Sequence, residues 1–270
     1  MTNKNSPLAV AVFDIDGVIR DVGGSYRRAL ADTVEHFTDG SYRPTPHEID
    51  RLKSEGLWNN DWEASQELIY RFFESKGHSR NELKLNYDNI VAFFQSRYRG
   101  ADPDNWSGYI CHEPLLVELK YWDNLTDAGI SWGFFSGATR ASASYVLEKR
   151  LGLRSPTLVA MEDAPGKPNP TGLFQTIESL GLKANELASP IFYAGDTVAD
   201  MHTVNKAKSL FPQQTWIAVG VLPPHTQENI ATREAYVQTL IDAGASTVLS
   251  NVQELSPEKI QYLLENKASK

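Results

Sequence analysis

LAVAVFDIDGV, residues 8–18, is the stretch on which the fold turns. Leu8 to Phe13 is an unbroken apolar run with no polar alternation, which suits a strand buried on both faces of a parallel sheet. Two carboxylates follow at once. Asp14 and Asp16 are two residues apart, so while the backbone stays extended they project to the same side, at the carboxyl end of the strand, where open α/β sheets keep their ligands. Gly17 then lets the backbone bend sharply. Two like charges this close require a cation between them or a retained proton, which points to metal or acid/base chemistry.

Beyond this strand, strand character does not return until after residue 129. Tyr26 to Phe37 places Ala29, Leu30, Thr33, Val34 and Phe37 at helical spacing, and Pro44 and Pro46 end that segment. Short or longer helices are expected over His47 to Leu57, Trp62 to Lys76 and Asn86 to Tyr98. Their Leu68, Ile69, Phe72 and Phe73, and Ile90, Val91, Phe93 and Phe94, form stripes of the kind that fill a small helical bundle.

From Pro114 the pattern becomes alternating. Helices are expected over Leu115 to Ala128, Arg140 to Leu151, Pro170 to Leu180, Asp200 to Ala207 and Gln227 to Ala243. Strands are expected over Ile130 to Phe135, Leu158 to Met161, Ile191 to Gly195, Thr215 to Val221 and Thr247 to Leu249. Repeated β-α-β units imply a parallel sheet with helices on both faces. The expected fold class is therefore α/β, a doubly wound parallel-sheet core of residues 1–22 and 109–270 interrupted by an α-helical insert of residues 23–108.

The chain of 270 residues is 41% hydrophobic and carries a net charge of −8, which argues against a nucleic acid or an anionic membrane as partner. Cys111 is the only cysteine, so no intramolecular disulfide or thiolate metal cluster can form; this fits a reducing cytoplasm. The N-terminus does not read as a signal peptide, and no apolar run is long enough to span a bilayer.

Three more chemical sites fall at strand ends. Ser136 and Gly137 follow an expected strand and precede a helix, where a hydroxyl and backbone N–H groups suit phosphate oxygens, although a lone S-G is more often only a helix cap. In GKPNP, residues 166–170, Pro168 keeps Lys167 out of the helical region and Pro170 suits a first helical position, so Lys167 is held just ahead of a helix. In GDTVAD, residues 195–200, Asp196 and Asp200 can face one cleft if a helix starts there, with helix capping the alternative role for Asp196.

In this order, DxDGV, a strand-end serine, K-P-x-P and GDxxxD resemble the four motifs of the haloacid dehalogenase-like (HAD) hydrolases, over nearly the whole chain. The helical insert resembles the α-helical cap of the first subfamily. The resemblance implies a Rossmannoid core and a Mg²⁺-dependent phosphatase. Asp14 would be the nucleophile, forming an aspartyl-phosphate, and Asp16 the general acid and base. Mg²⁺ would be held by Asp14, the Asp16 carbonyl and Asp196, with Asp200 in support. Ser136, the Gly137 N–H and Lys167 would bind the phosphoryl oxygens.

The presence of Asp16 argues against a dehalogenase, since an alkoxide leaving group needs an acid and a halide does not. In capped relatives the cap supplies specificity. Arg51, Lys53, Asn59 and Asn60 in the segment from Asp50 to Trp62, and Arg20 and Arg27 near the hinge, are therefore candidates for contacting a small acidic phosphate ester such as 2-phosphoglycolate. A phosphomutase acting on a sugar phosphate would use the same motifs. A non-enzymatic phosphoacceptor module would be shorter, with its aspartate after a later strand. His112-Glu113 begins a zinc-protease motif, but Leu116 stands where the second histidine belongs.

Overall fold

The computed structural model describes residues 6–267 other than 54, 56 and 59. The opening apolar run becomes β1 (Ala9–Phe13), buried at every residue. It is joined by β2 (Ile130–Phe135), β3 (Leu158–Val159), β4 (Ile191–Gly195), β5 (Trp216–Val221) and β6 (Thr247–Leu249). The six strands form one sheet in the order β3-β2-β1-β4-β5-β6, and every neighbouring pair is parallel. This is the doubly wound α/β architecture expected from sequence.

Strand order reverses about β1, which pairs with β2 through Phe13 opposite Phe134 and with β4 through Phe13 opposite Ala194. The carboxyl end of β1 thus lies at the topological switch point, where such sheets leave a crevice. One face of the sheet packs Val10, Val12, Tyr193 and Trp216 against Leu173, Ile177 and Met201. Elsewhere Trp122 meets Phe13 and Phe134 edge-on, with ring centroids 5.1 and 5.0 Å apart, an arrangement that adds quadrupolar attraction to area burial.

The chain divides into two compact units: one is the chain up to Asp21 and from Pro114 onward, the other is Val22–Glu113. The sequence boundary is expected at 108/109, and the structure instead keeps Tyr109–Glu113 with the helical unit. The reason is polar: the Tyr109 hydroxyl donates to Asp32 at 2.5 Å and the Ser25 hydroxyl donates to the buried Glu113.

The helical unit contains α1 (Tyr26–Phe37), α2 (Pro46–Lys53), α3 (Asp61–Ser75) and α4 (Tyr87–Tyr98). Tyr26 of α1 stacks on Tyr98 of α4 with ring centroids 4.2 Å apart, and Ala29, Leu30 and Val34 are buried. Buried Glu67 accepts from Arg71 at 2.7 Å and Arg80 at 2.9 Å, which compensates its desolvation. The expected helix to Leu57 ends earlier, at Lys53.

The sheet unit adds α5 (Leu119–Asp127), α6 (Arg140–Ser144, continued by the π-helical Tyr145–Arg150), α7 (Thr171–Ser179), α8 (Val198–Leu210), α9 (Ile230–Asp242) and α10 (Pro257–Lys267). α8 runs further at both ends than the expected Asp200 to Ala207, and α9 begins at Ile230, not Gln227, because Asn229 caps it by accepting from the Thr232 N–H. Two further expectations change. α5 begins at Leu119, not Leu115, because Leu115 bridges Arg20 and the Leu116 N–H donates to the Ile19 carbonyl at 2.8 Å. β3 stops at Val159, not Met161, because the Ala160 N–H is taken by the Asp163 carboxylate at 2.7 Å. Among the described residues no helix is long and apolar enough to cross a membrane.

Candidate active site

β1 delivers Asp14 to the carboxyl edge of the sheet at the switch point, where its N–H still bonds the Ala194 carbonyl of β4 at 2.8 Å. Gly17 then turns the chain at φ +72°, and a Cβ there would overlap Asp196 Oδ2. Only glycine both adopts that conformation and admits the second carboxylate so near the loop.

Asp196 is the first residue after β4. Thr197, not Asp196, caps α8: its hydroxyl accepts from the Asp200 N–H at 3.2 Å, and Asp200 Oδ2 accepts from the Thr197 hydroxyl at 2.6 Å and its N–H at 3.0 Å. This capping box immobilises one Asp200 oxygen and turns the other inward. Asp200 Oδ1 accepts from Lys167 Nζ at 2.7 Å and from the Tyr193 hydroxyl at 2.9 Å.

Lys167 Nζ also lies 2.8 Å from Asp14 Oδ1, so one ammonium joins the first and fourth motifs. The rings of Phe135 and Tyr193 lie 5.2 and 5.4 Å from it, adding cation–π attraction. Asp14, Asp196 and Asp200 each offer a carboxylate oxygen, all within 4.8 Å of one another.

Three carboxylates around one ammonium leave an excess of negative charge. Burial, with further repulsion from Asp200 and Asp16, pushes the Asp14 carboxyl up to about 7 despite the pull of Lys167. Burial and then the Asp200 and Asp14 charges hold Asp196 well above the usual carboxylate range. Asp200 lies below that range, because Lys167 and Thr197 outweigh the effect of burial. Lys167 is raised, since its two carboxylate partners outweigh desolvation. A hard divalent cation fits this all-oxygen donor set and the charge it leaves over, with Asp14, Asp196 and Asp200 as the residues that could hold it.

A pH dependence follows. The folded state binds the Asp14 proton more tightly than the unfolded chain does, so without a cation stability falls as pH rises from about 4 to about 7. Asp200 has the opposite sign, but its contribution is lost only below the ordinary carboxylate range. In EDTA the thermal midpoint is therefore expected to drop between about pH 5 and pH 8. Magnesium at a hundredfold excess over its dissociation constant should raise the midpoint by roughly 5–10 °C, from about 2.7 kcal/mol of linkage, and by more at the higher pH. Thermal scans at both pH values check this; a midpoint indifferent to magnesium would exclude a divalent site.

Ser136 is buried beyond the end of β2, one strand over from Asp14, and its hydroxyl accepts from the Ala138 N–H at 3.1 Å. Gly137 beside it is exposed. Asp16 is partly exposed and accepts from the fully buried Arg20. In the helical unit Arg51 is exposed on α2, Lys53 pairs with Asp61 at 2.6 Å, Arg27 pairs with Asp50, and the Asn60 side chain caps α3 by accepting from the Trp62 N–H at 2.9 Å. Asn59 lies outside the described residues.

Three contributors escaped the motif reading. Tyr193 holds Asp200, Thr197 caps α8, and the Tyr236 hydroxyl donates to the Asp196 carbonyl at 2.9 Å. Two had a signal: a tyrosine inside an otherwise apolar buried strand must find a partner for its hydroxyl, and T-x-x-D is a capping-box pattern. Tyr236 had none, since α9 lies 40 residues further along the chain.

The family model of haloacid dehalogenase-like hydrolases matches residues 8–207. An imidazoleglycerol-phosphate dehydratase from Phytophthora nicotianae is 29% identical over 253 residues, 91% of this chain, and the chain spans about half (51%) of that protein's length. Among solved structures, a phosphonoacetaldehyde hydrolase-like protein from Oleispira antarctica superposes with a TM-score of 0.67 at 17% identity, covering 98% of this chain and 97% of the other. A phosphatase from Thermococcus thioreducens gives 0.60 at 20% identity over 78% and 92%, and a β-phosphoglucomutase from Clostridium difficile gives 0.61 at 14% identity over 97% and 100%. At these identities the structural matches speak for the fold.

Proposed function

The chain belongs to the haloacid dehalogenase-like hydrolases, and from that premise we propose that it is a Mg²⁺-dependent phosphatase acting on a small organic phosphate monoester. The observation that carries this reading is Lys167, whose ammonium contacts both Asp14 and Asp200. An ammonium has three donors, two of which face carboxylates here, leaving one for a phosphoryl oxygen.

In the reaction Asp14 attacks phosphorus, and the bond to the alcohol oxygen breaks as Asp16 gives that oxygen its proton. Water then attacks the aspartyl-phosphate, losing a proton to Asp16, and orthophosphate leaves with Asp14 restored. Lys167, the Ser136 hydroxyl and the Gly137 N–H bear the phosphoryl oxygens and offset their charge in the transition state. Magnesium held by Asp14, the Asp16 carbonyl, Asp196 and Asp200 supplies further positive charge to those oxygens when bound.

Arg51, exposed on α2, is the basic group of the helical unit that favours a small acidic ester such as 2-phosphoglycolate; Lys53 is paired with Asp61 and Asn60 caps α3. The relative named for imidazoleglycerol phosphate supports a second reading, a phosphorylated imidazole polyol. A phosphomutase would transfer the same phosphoryl group to a sugar.

One experiment separates these. Wild type and Asp14→Asn are screened with Mg²⁺ against phosphoglycolate, an imidazole polyol phosphate, sugar phosphates and nucleotides, with sugar-phosphate isomerisation followed in parallel. Phosphate release by the wild type alone is expected, highest on phosphoglycolate. No release from any ester would overturn the phosphatase reading, and a preference for sugar phosphates or nucleotides would overturn the substrate.

A further inference from the structure

Arg20 is fully buried, and its guanidinium meets Asp16 twice: Nε at 2.7 Å and Nη2 at 2.6 Å, both on Oδ1. No partner among the described residues falls on Asp16 Oδ2. The backbone around this pair is tied as well. The Gly17 N–H donates to the Arg20 carbonyl at 2.9 Å, closing the loop that carries Asp16, and Arg20 itself bridges Leu115. A desolvated guanidinium spending two donors on one carboxylate oxygen is a strong, geometrically specific contact.

We propose that Arg20 is a positioning residue for Asp16: by anchoring Oδ1 it aims Oδ2 at the oxygen of the leaving group. The inference rests on the phosphatase reading and replaces the substrate contact expected of Arg20 from sequence, because the guanidinium is buried with two of its nitrogens committed to Asp16. A carboxylate free to rotate about its own bonds would spend much of its time out of hydrogen-bond reach of that oxygen, whereas general acid catalysis demands that reach.

The test compares two esters in kcat/KM, which reports the steps up to and including release of the alcohol. An alkyl phosphate leaves as a strongly basic alkoxide and needs a proton; p-nitrophenyl phosphate leaves as a stable phenolate and needs almost none. Arg20→Met is expected to lower kcat/KM for the alkyl ester by about 100-fold, at the low end of what general acid catalysis supplies, and for the aryl ester by at most about 5-fold. Arg20→Lys, which keeps one point charge without the fork, should fall between wild type and Arg20→Met. In an Asp16→Asn background, Arg20→Met should add almost no further loss on the alkyl ester, the non-additivity of groups that act as a unit.

Equal losses on the two esters, or undiminished loss in the Asp16→Asn background, would overturn the assignment while leaving the phosphatase reading in place. If circular dichroism shows Arg20→Met unfolded, the same comparison on Arg20→Lys decides, with equal losses again overturning it. Failure of the wild type to hydrolyse either ester overturns both readings.

Discussion

Asp14→Asn is expected to lower phosphate release by about 10⁴-fold or more, the scale on which loss of a covalent nucleophile is felt, while the protein stays folded. The amide has nearly the shape of the carboxylate but no electron pair basic enough to attack phosphorus. Lys167 keeps Asp200 at 2.7 Å, so the cluster loses a charge it had in excess and not its only tie. The metal-free variant should accordingly melt no lower than wild type at neutral pH, and the fall in its stability between about pH 4 and pH 7 should be shallower, because the carboxyl lifted to about 7 is gone. Single-turnover phosphate release and thermal scans in EDTA measure the two halves. Hydrolysis at the wild-type rate would remove Asp14 from the mechanism.

Lys167→Met is expected to act on both stability and turnover. The lysine is nearly buried between Asp14 and Asp200, and its removal strands their charges beside Asp196. Removing one partner of a buried ion pair typically costs about 3–5 kcal/mol, so a midpoint lower by roughly 6–20 °C in EDTA is expected. Methionine retains the packing against Phe135 and Tyr193, which assigns the loss to charge and not to a cavity. Part of the stability should return with Mg²⁺, which can neutralise the same carboxylates. Turnover should not return: a fall of about 10²–10³-fold is expected, the scale for removing one donor to a developing anion. A variant with unchanged midpoint in EDTA and unchanged turnover would deny Lys167 its place at the centre of the cluster.

The parts of this molecule that were legible are those in which local pattern and tertiary demand agree. An unbroken apolar run such as Ala9 to Phe13 is stable only between two parallel neighbours, and strand ends bearing Asp14, Ser136 and Asp196 follow from where such runs stop. The motif order then carried residues far apart in the chain to one sheet end, and Lys167 and Asp200 do meet Asp14 directly or through each other. Legibility failed where a distant backbone decided. Leu115 and Leu116 have helical spacing with the residues after them, but Ile19 and Arg20 recruit them into extended pairing. Arg20 has the composition of a surface residue and is wholly buried, because only the folded chain reveals that Asp16 is its counterpart. The helix Pro257–Lys267, with buried Ile260, also lay beyond the elements expected from sequence. Its Ile260, Leu263 and Leu264 repeat at helical spacing, but three apolar positions in a charged tail are a weak signal.

The sheet's longest strands occupy its interior, and its two margins are formed by Leu158–Val159 and Thr247–Leu249, of two and three residues. A margin that short offers a neighbouring molecule almost no row of unpaired amides on which to add a strand. The arrangement that buries β1 between two partners thereby also discourages intermolecular sheet growth, so the very apolar strands at the centre can be carried without inviting self-association.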